Sequence, residues 1–174
     1  MRHRAPGAIV LGAGLVVCSA AAYAETGRAI LHSTTGDQAL TGAATLAETK
    51  EGLRVTLDLA GVPAGDHGVH IHQYGACGDR GNAAGGHYNP DGVPHGLLPK
   101  DGLTLAHPGD LGNVTIGTDG TGTLQVTLPG VSLSAGHYAV AGRAIVLHEK
   151  QDDFGQPTGN AGGRIGCGEI LIVE

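Results

Sequence analysis

The sequence predicts an all-β domain, an antiparallel sandwich or barrel of eight short strands with two long functional loops. Three observations carry this. Apolar residues recur with period two, glycine-rich breaks separate the periodic segments, and helical periodicity is missing from the chain that follows the leader. The 174 residues include 32 glycines and 8 prolines, well above ordinary usage and unfavourable to helices. With no Trp, one Phe and four Tyr, the core has to be built from Val, Leu, Ile and Ala.

The segments run Arg28–Ser33, Leu40–Glu48, Leu53–Ala60, Gly68–Gln73, Leu111–Gly117, Gly122–Leu128, Arg143–Glu149 and Ile165–Val173. Leu53, Val55, Leu57 and Leu59 alternate with Arg54, Thr56 and Asp58, the pattern of a strand buried on one face. Thr49-Lys50-Glu51-Gly52 and Thr118-Asp119-Gly120-Thr121 are turn signals between neighbouring strands. Two connections, Tyr74–Asp110 and Lys150–Arg164, lack periodicity. The first has 37 residues, a length that marks a functional loop in a compact domain.

Residues 1–24 read as a signal peptide and residues 25–174 as one domain. Arg2 and Arg4 precede an uncharged stretch from Ala5 to Ala24, which ends in Ala22-Tyr23-Ala24 before Glu25. Glycines interrupt that stretch, which argues against a membrane span. Lipidation at Cys18 is disfavoured because Val17 is larger than the small residue such processing takes. Removing the leader leaves Cys77 and Cys167, most simply a disulfide in an exported chain. Closing that loop would stabilise the fold by about 4–5 kcal/mol on the chain-entropy argument.

The whole chain carries 16 acids against 10 Lys and Arg, a formal charge of −6, which removes the electrostatic footprint of a nucleic-acid binder. Without the leader the charge is −8 and nine of the ten histidines remain. These histidines are the outstanding feature. His70 and His72 flank Ile71 within a predicted strand, so their rings share a face. Alone, such a pair is more often two sheet histidines than a metal site. The loop beyond adds His87, His95, His107 and Asp110, a complete tetrahedral set for zinc with no open position. His148 ends the seventh predicted strand and adds a third imidazole to the His70–His72 pair, a set suited to Cu(II).

Taken in order, Gly68-Val69-His70-Ile71-His72, Gly85-Gly86-His87-Tyr88-Asn89-Pro90, His95-Gly96, His107-Pro108-Gly109-Asp110-Leu111-Gly112-Asn113, Val146-Leu147-His148-Glu149-Lys150 and the segment from Gly159 to Gly168 resemble the copper/zinc superoxide dismutases. The resemblance covers nearly all of residues 25–174. It implies an eight-stranded Greek-key barrel, with His70, His72, His87 and His148 as copper ligands and His87, His95, His107 and Asp110 as zinc ligands. It further implies that His87 bridges the metals and that Asp152 orients His70 and His95 through their other nitrogens. Arg164 would attract and position the anion, Thr158 would form the opposite lip of the channel, and Cys77 and Cys167 would pair. His67 matches a structural histidine, while His32 and His137 match no ligand.

The implied reaction is dismutation of superoxide to oxygen and hydrogen peroxide by alternating Cu(II)/Cu(I), with Arg164 and His87 as the catalytic side chains. The alternative is a copper-binding or buffering protein of the same fold without turnover. Only four residues separate His72 from Cys77, the Lys150–Arg164 loop is short, and an apolar insert containing Leu103 and Leu105 lies between His95 and His107. With the leader, these features resemble the bacterial periplasmic branch. The expected partner is superoxide anion, with no nucleic acid and no membrane span, for a monomer or homodimer.

Overall fold

The computed structural model describes residues 1, 25–36 and 39–173. Apart from Met1, the predicted signal peptide, including Cys18, lies outside the described residues. Among the described residues nine strands form: β1 Thr26–Ser33, β2 Thr41–Thr49, β3 Gly52–Ala60, β4 Gly65–His72, β5 Asp110–Ile116, β6 Gly122–Leu128, β7 Ala144–His148, β8 Arg164–Glu169 and β9 Leu171–Val173. They lie in the order β5-β4-β7-β8-β1-β2-β3-β6, with β9 also pairing β1, and every ladder is antiparallel. The connections from β3 to β4 and from β6 to β7 pass over intervening strands, which is a Greek-key path. The β5–β6 turn brings the two ends of the sheet together, where Gly117 N donates to Thr121 O at 2.9 Å. The result is a nearly closed barrel.

Alternation explains most of the barrel. On β3, Leu53, Val55, Leu57 and Leu59 are buried while Arg54 and Asp58 face solvent. With Leu31, Leu46, Ile71, Leu111, Leu128, Leu133, Ile145 and Leu147 they form one aliphatic core. β4 and β7 depart from the rule. All five residues of β7 are buried, as are the last six of β4. Their inner faces line the core, and their outer faces lie beneath the two long connections.

The structure refines two sequence expectations. The segment Ile165–Val173 is not one strand, because it breaks at buried Ile170. Ile170 N donates to Arg143 O and its carbonyl accepts from Gly142 N, both at 2.8 Å, so this residue pairs with the loop before β7. The Tyr74–Asp110 connection also has local order, a 3-10 turn at Asn82–Ala84 and one helical turn at Leu98–Asp101. Leu98 is fully buried, and Leu103 packs on the core while Leu105 is 60% exposed. Cys77 and Cys167 are disulfide-bonded, fastening this connection to β8.

Candidate metal centre

Strand geometry sets the first two histidines. With Ile71 turned into the core, His70 and His72 project from the opposite face of β4, and both are buried. β7 pairs with β4 so that Val146 lies opposite His70, which places His148 at the same edge. His72 Nε2 and His148 Nε2 approach to 3.2 Å. His72 Nδ1 lies 3.0 Å from the carbonyl of Gly85. A carbonyl only accepts, so Nδ1 carries the proton and Nε2 turns its lone pair toward the centre.

The long connection brings the other members. The main chain of His87 forms an isolated antiparallel β-bridge with that of His72, and the His87 ring centroid lies 3.9 Å from that of His70. Its Nδ1 is 3.1 Å from Asp110 Oδ1, and His107 Nδ1 is 3.0 Å from the same oxygen. His95 Nδ1 approaches Asp110 Oδ2 at 2.9 Å. The other Asp110 contacts come from the main-chain N–H groups of Gly96 and His107. Asp110 is the first residue of β5 and is wholly buried, so the sheet fixes the carboxylate around which three loop imidazoles gather.

Among the described residues two four-membered sets result, each with ligand atoms within 4.8 Å of one another: His70, His72, His87 and His148, and His87, His95, His107 and Asp110; His70, His95 and Asp152 form a third, smaller group. His87 belongs to both four-membered sets. The buried Nδ1 atoms of His70 and His95 have no hydrogen-bond partner. His95 Nδ1 is near Asp110 but lacks hydrogen-bonding geometry, as two donor atoms do when both are aimed at a third point. Unpaired buried polar atoms are costly, and an ion would satisfy both. Four imidazoles fit copper, and three imidazoles with a carboxylate fit zinc.

Asp152 links the sets from behind. One carboxylate oxygen is 2.8 Å from His70 Nε2, and both oxygens are 3.0 Å from His95 Nε2. Asn113 of β5 holds the Asp152 main chain, donating from Nδ2 to its carbonyl at 2.9 Å and accepting from its N–H at 2.7 Å. Gly159 has φ +74, and a Cβ there would collide with the Asp152 carboxylate, so only glycine fits. His67, at the outer end of β4, faces the carbonyls of His148 and Pro63 with its two ring nitrogens.

Burial dominates the electrostatics of the first set. It lowers His72 to about 2, His87 to about 4 and His148 to about 3, and lowers His70 as well. These rings are therefore neutral and ready to ligate at neutral pH. His95 moves the other way. Burial opposes its protonation, but the adjacent Asp110 and Asp152 carboxylates prevail and raise it to about 9. Burial would raise both aspartates, yet their histidine partners hold them well below the usual carboxylate range.

A cavity of about 190 Å³ opens onto the four-imidazole set, lined by His72, His87, His148, Thr158, Gly162 and Arg164. Arg164 is fixed by two carbonyls, donating from Nη1 to Gly81 O at 2.5 Å and from Nη2 to Gly85 O at 2.6 Å. A larger cleft of about 450 Å³ lies on the outer face of β1, β8 and β9 and contains none of these histidines. His32 is exposed, and His137 pairs at the surface with Asp91. Sequence reasoning missed the carbonyls of Gly81 and Gly85 and the contacts of Asn113 and Gln156. A backbone acceptor has no sequence signature, Gln156 stands in no motif, and Asn113, though it closes the string that begins at His107, shows nothing there of its hold on Asp152.

Residues 40–170 match the family model described as copper/zinc superoxide dismutase. Over 129 residues the chain is 43% identical to the extracellular superoxide dismutase (Cu-Zn) of Caenorhabditis elegans, a match covering 70% of this chain and 57% of that protein. Over 157 residues it is 36% identical to the extracellular superoxide dismutase (Cu-Zn) of Brugia pahangi, covering 84% and 76%. Among solved structures it is similar to the crystal structure of the clock protein EA4, with a TM-score of 0.75 and 32% identity over 94% of this chain and all of that one.

Proposed function

Because the chain belongs to the copper/zinc superoxide dismutase family, we propose that it disproportionates superoxide, two anions and two protons giving one dioxygen and one hydrogen peroxide. The observation that carries this reading is the sharing of His87 between two buried ligand sets, one of which opens to a cavity beside Arg164. In this reading His70, His72, His87 and His148 hold copper, and His87, His95, His107 and Asp110 hold zinc. Bound copper supplies a one-electron couple that superoxide reduces and then reoxidises, while zinc adds no redox change.

The chain's own residues do the rest. Arg164 binds the anion electrostatically and orients it, its guanidinium held still by two carbonyls. With Nδ1 of His87 turned to Asp110, Nε2 is the nitrogen left for the copper set, and it would take up one proton from solvent in the first half-reaction and pass it to the departing peroxide in the second. Solvent supplies the second proton. Asp152 keeps the rings of His70 and His95 in register by holding their outer nitrogens. The formal charge of −8 on residues 25–174 does not prevent anion capture. Low-dielectric walls focus the field of Arg164 into the cavity, and the screening length of about 8 Å at physiological salt hides distant acids.

We further infer that residues 1–24 are a signal peptide, that residues 25–174 form the working domain and that it acts in a bacterial periplasm as a monomer or homodimer. The disulfide and the extracellular relatives support export. Among the described residues no helix is long and apolar enough to cross a membrane. Pulse radiolysis of superoxide tests the activity, comparing chain loaded with copper and zinc against metal-free chain. Copper-dependent decay near the diffusional ceiling of about 10⁹ M⁻¹s⁻¹ supports the enzyme. No acceleration with copper bound would make this a copper-buffering protein.

A further inference from the structure

His95 is buried in an irregular loop, where no strand pairs with its main chain. Both of its main-chain polar groups are nevertheless satisfied by one side chain. Gln156 Oε1 accepts from His95 N–H at 3.0 Å, and Gln156 Nε2 donates to His95 O at 2.8 Å. A primary amide presents a donor and an acceptor side by side, so it can cap a peptide residue as a neighbouring strand would. Leaving either group of a buried residue unpaired costs free energy. The two residues are 61 apart in sequence, so the pairing joins two separate connections.

The same short segment grips the other end of His95. Asp152, four residues before Gln156, holds the ring through Nε2, and the Phe154 ring lies nearly parallel to it at 6.5 Å. The segment is self-braced by Asp153 N donating to Gly159 O at 2.9 Å and Gly159 N to Gly155 O at 2.6 Å. Asp152 alone leaves the ring free to tilt as the main chain shifts. Gln156 removes that freedom by fixing the backbone from which the ring projects.

We propose that Gln156 is a positioning residue for the zinc set, acting through the main chain of His95. This rests on the zinc reading of His87, His95, His107 and Asp110. Losing the clip lets Nδ1 of His95 drift from the point on which the other three ligands converge. The expected effect is about a tenfold loss of zinc affinity, the low end for residues that orient ligands, expressed mainly as faster zinc release. Gln156→Glu keeps the acceptor for His95 N–H but places a carboxylate oxygen against its carbonyl, so it should fall at or below Gln156→Ala.

The test uses the full chain. Zinc release to an excess of chelator is timed for wild type, Gln156→Ala, Gln156→Glu and Asp119→Ala. Asp119 caps the distant β5–β6 turn, so that variant loses stability without touching His95. The absorption bands of Co(II) bound in place of zinc report the ligand geometry directly. Roughly tenfold faster release with altered cobalt bands in both Gln156 variants, and neither change in Asp119→Ala, is the expected result. Release within twofold of wild type in the Gln156 variants, beside a tetrahedral wild-type cobalt spectrum, overturns this inference alone. A wild-type chain without tetrahedral cobalt bands overturns the zinc reading and this inference with it. If Gln156→Ala does not fold, Gln156→Glu decides.

Discussion

His72 and Arg164 donate to one acceptor, the carbonyl oxygen of Gly85, at 3.0 and 2.6 Å. A single peptide unit thus sets the orientation of an imidazole of the four-histidine set and of Arg164, which lines the cavity. Gly85 adopts φ +75, and a Cβ there would lie 2.9 Å from the Tyr74 ring, so both the conformation and the packing select glycine.

Replacing Arg164 with Ala should lower the superoxide rate by about ten- to a hundredfold, the lower part of the range by which focused charge accelerates capture of an anion. Copper and zinc content should stay at wild-type levels, since the guanidinium reaches carbonyls and no ligand nitrogen. Rates measured across ionic strength should lose most of their salt dependence. Unchanged activity would remove Arg164 from the reaction.

Stability of the metal-free chain should peak near pH 7, where the rising contribution of the depressed histidines balances the loss at His95. His72, His87 and His148 have folded values near 2, 4 and 3 against 6.5 unfolded. Between pH 6.5 and 4 the unfolded chain binds more protons, so stability falls as pH drops. His95, raised to about 9, contributes stability that is complete below 6.5 and lost as pH rises through 9. Urea midpoints from pH 4.5 to 9.5 check this, and a midpoint still rising at pH 9 would contradict the account of His95.

Zinc uptake at pH 7.5 should release about one proton per ion. His95 is protonated there in the metal-free chain, and a ligand nitrogen must give up its proton. Calorimetric titration in two buffers of different ionisation enthalpy gives the number. Zero release would mean that His95 is already neutral.

Changing both Cys77 and Cys167 to Ser should cost about 4–5 kcal/mol of stability by the chain-entropy argument, read from denaturant unfolding. It should also slow the loaded enzyme, because Gly81 and Gly85 lie in the connection that the disulfide fastens. Full activity in the folded double variant would separate the bridge from the alignment of Arg164.

Local pattern made the barrel readable in advance. Strict alternation located β3 to within one residue of its observed start, and β6 runs over the predicted Gly122–Leu128. The break at Ile170 had no local signal, since its cause is pairing with Gly142 and Arg143 some 28 residues earlier. Likewise, four residues are too few for the turn at Leu98–Asp101 to show a helical period, and it is held by Leu97 N–H bonding Asp101 Oδ2. For the histidines, spacing suggested which side chains could share an ion, and the structure brings them together. The clips by Gln156 and Asn113 were silent because each joins a side chain to a distant main chain.

The aliphatic core has a chemical consequence for a protein whose proposed product is hydrogen peroxide. Thioethers, thiols and indoles are the groups that such an oxidant attacks first. Apart from Tyr88 the main core holds Leu, Val, Ile and Ala, the sequence has no Trp, and Met1 is its only methionine. Cys77 and Cys167 are already joined. Saturated hydrocarbon gives peroxide nothing to react with, so oxidative wear falls on the histidines around the metals, and the chain should lose activity long before it loses its fold.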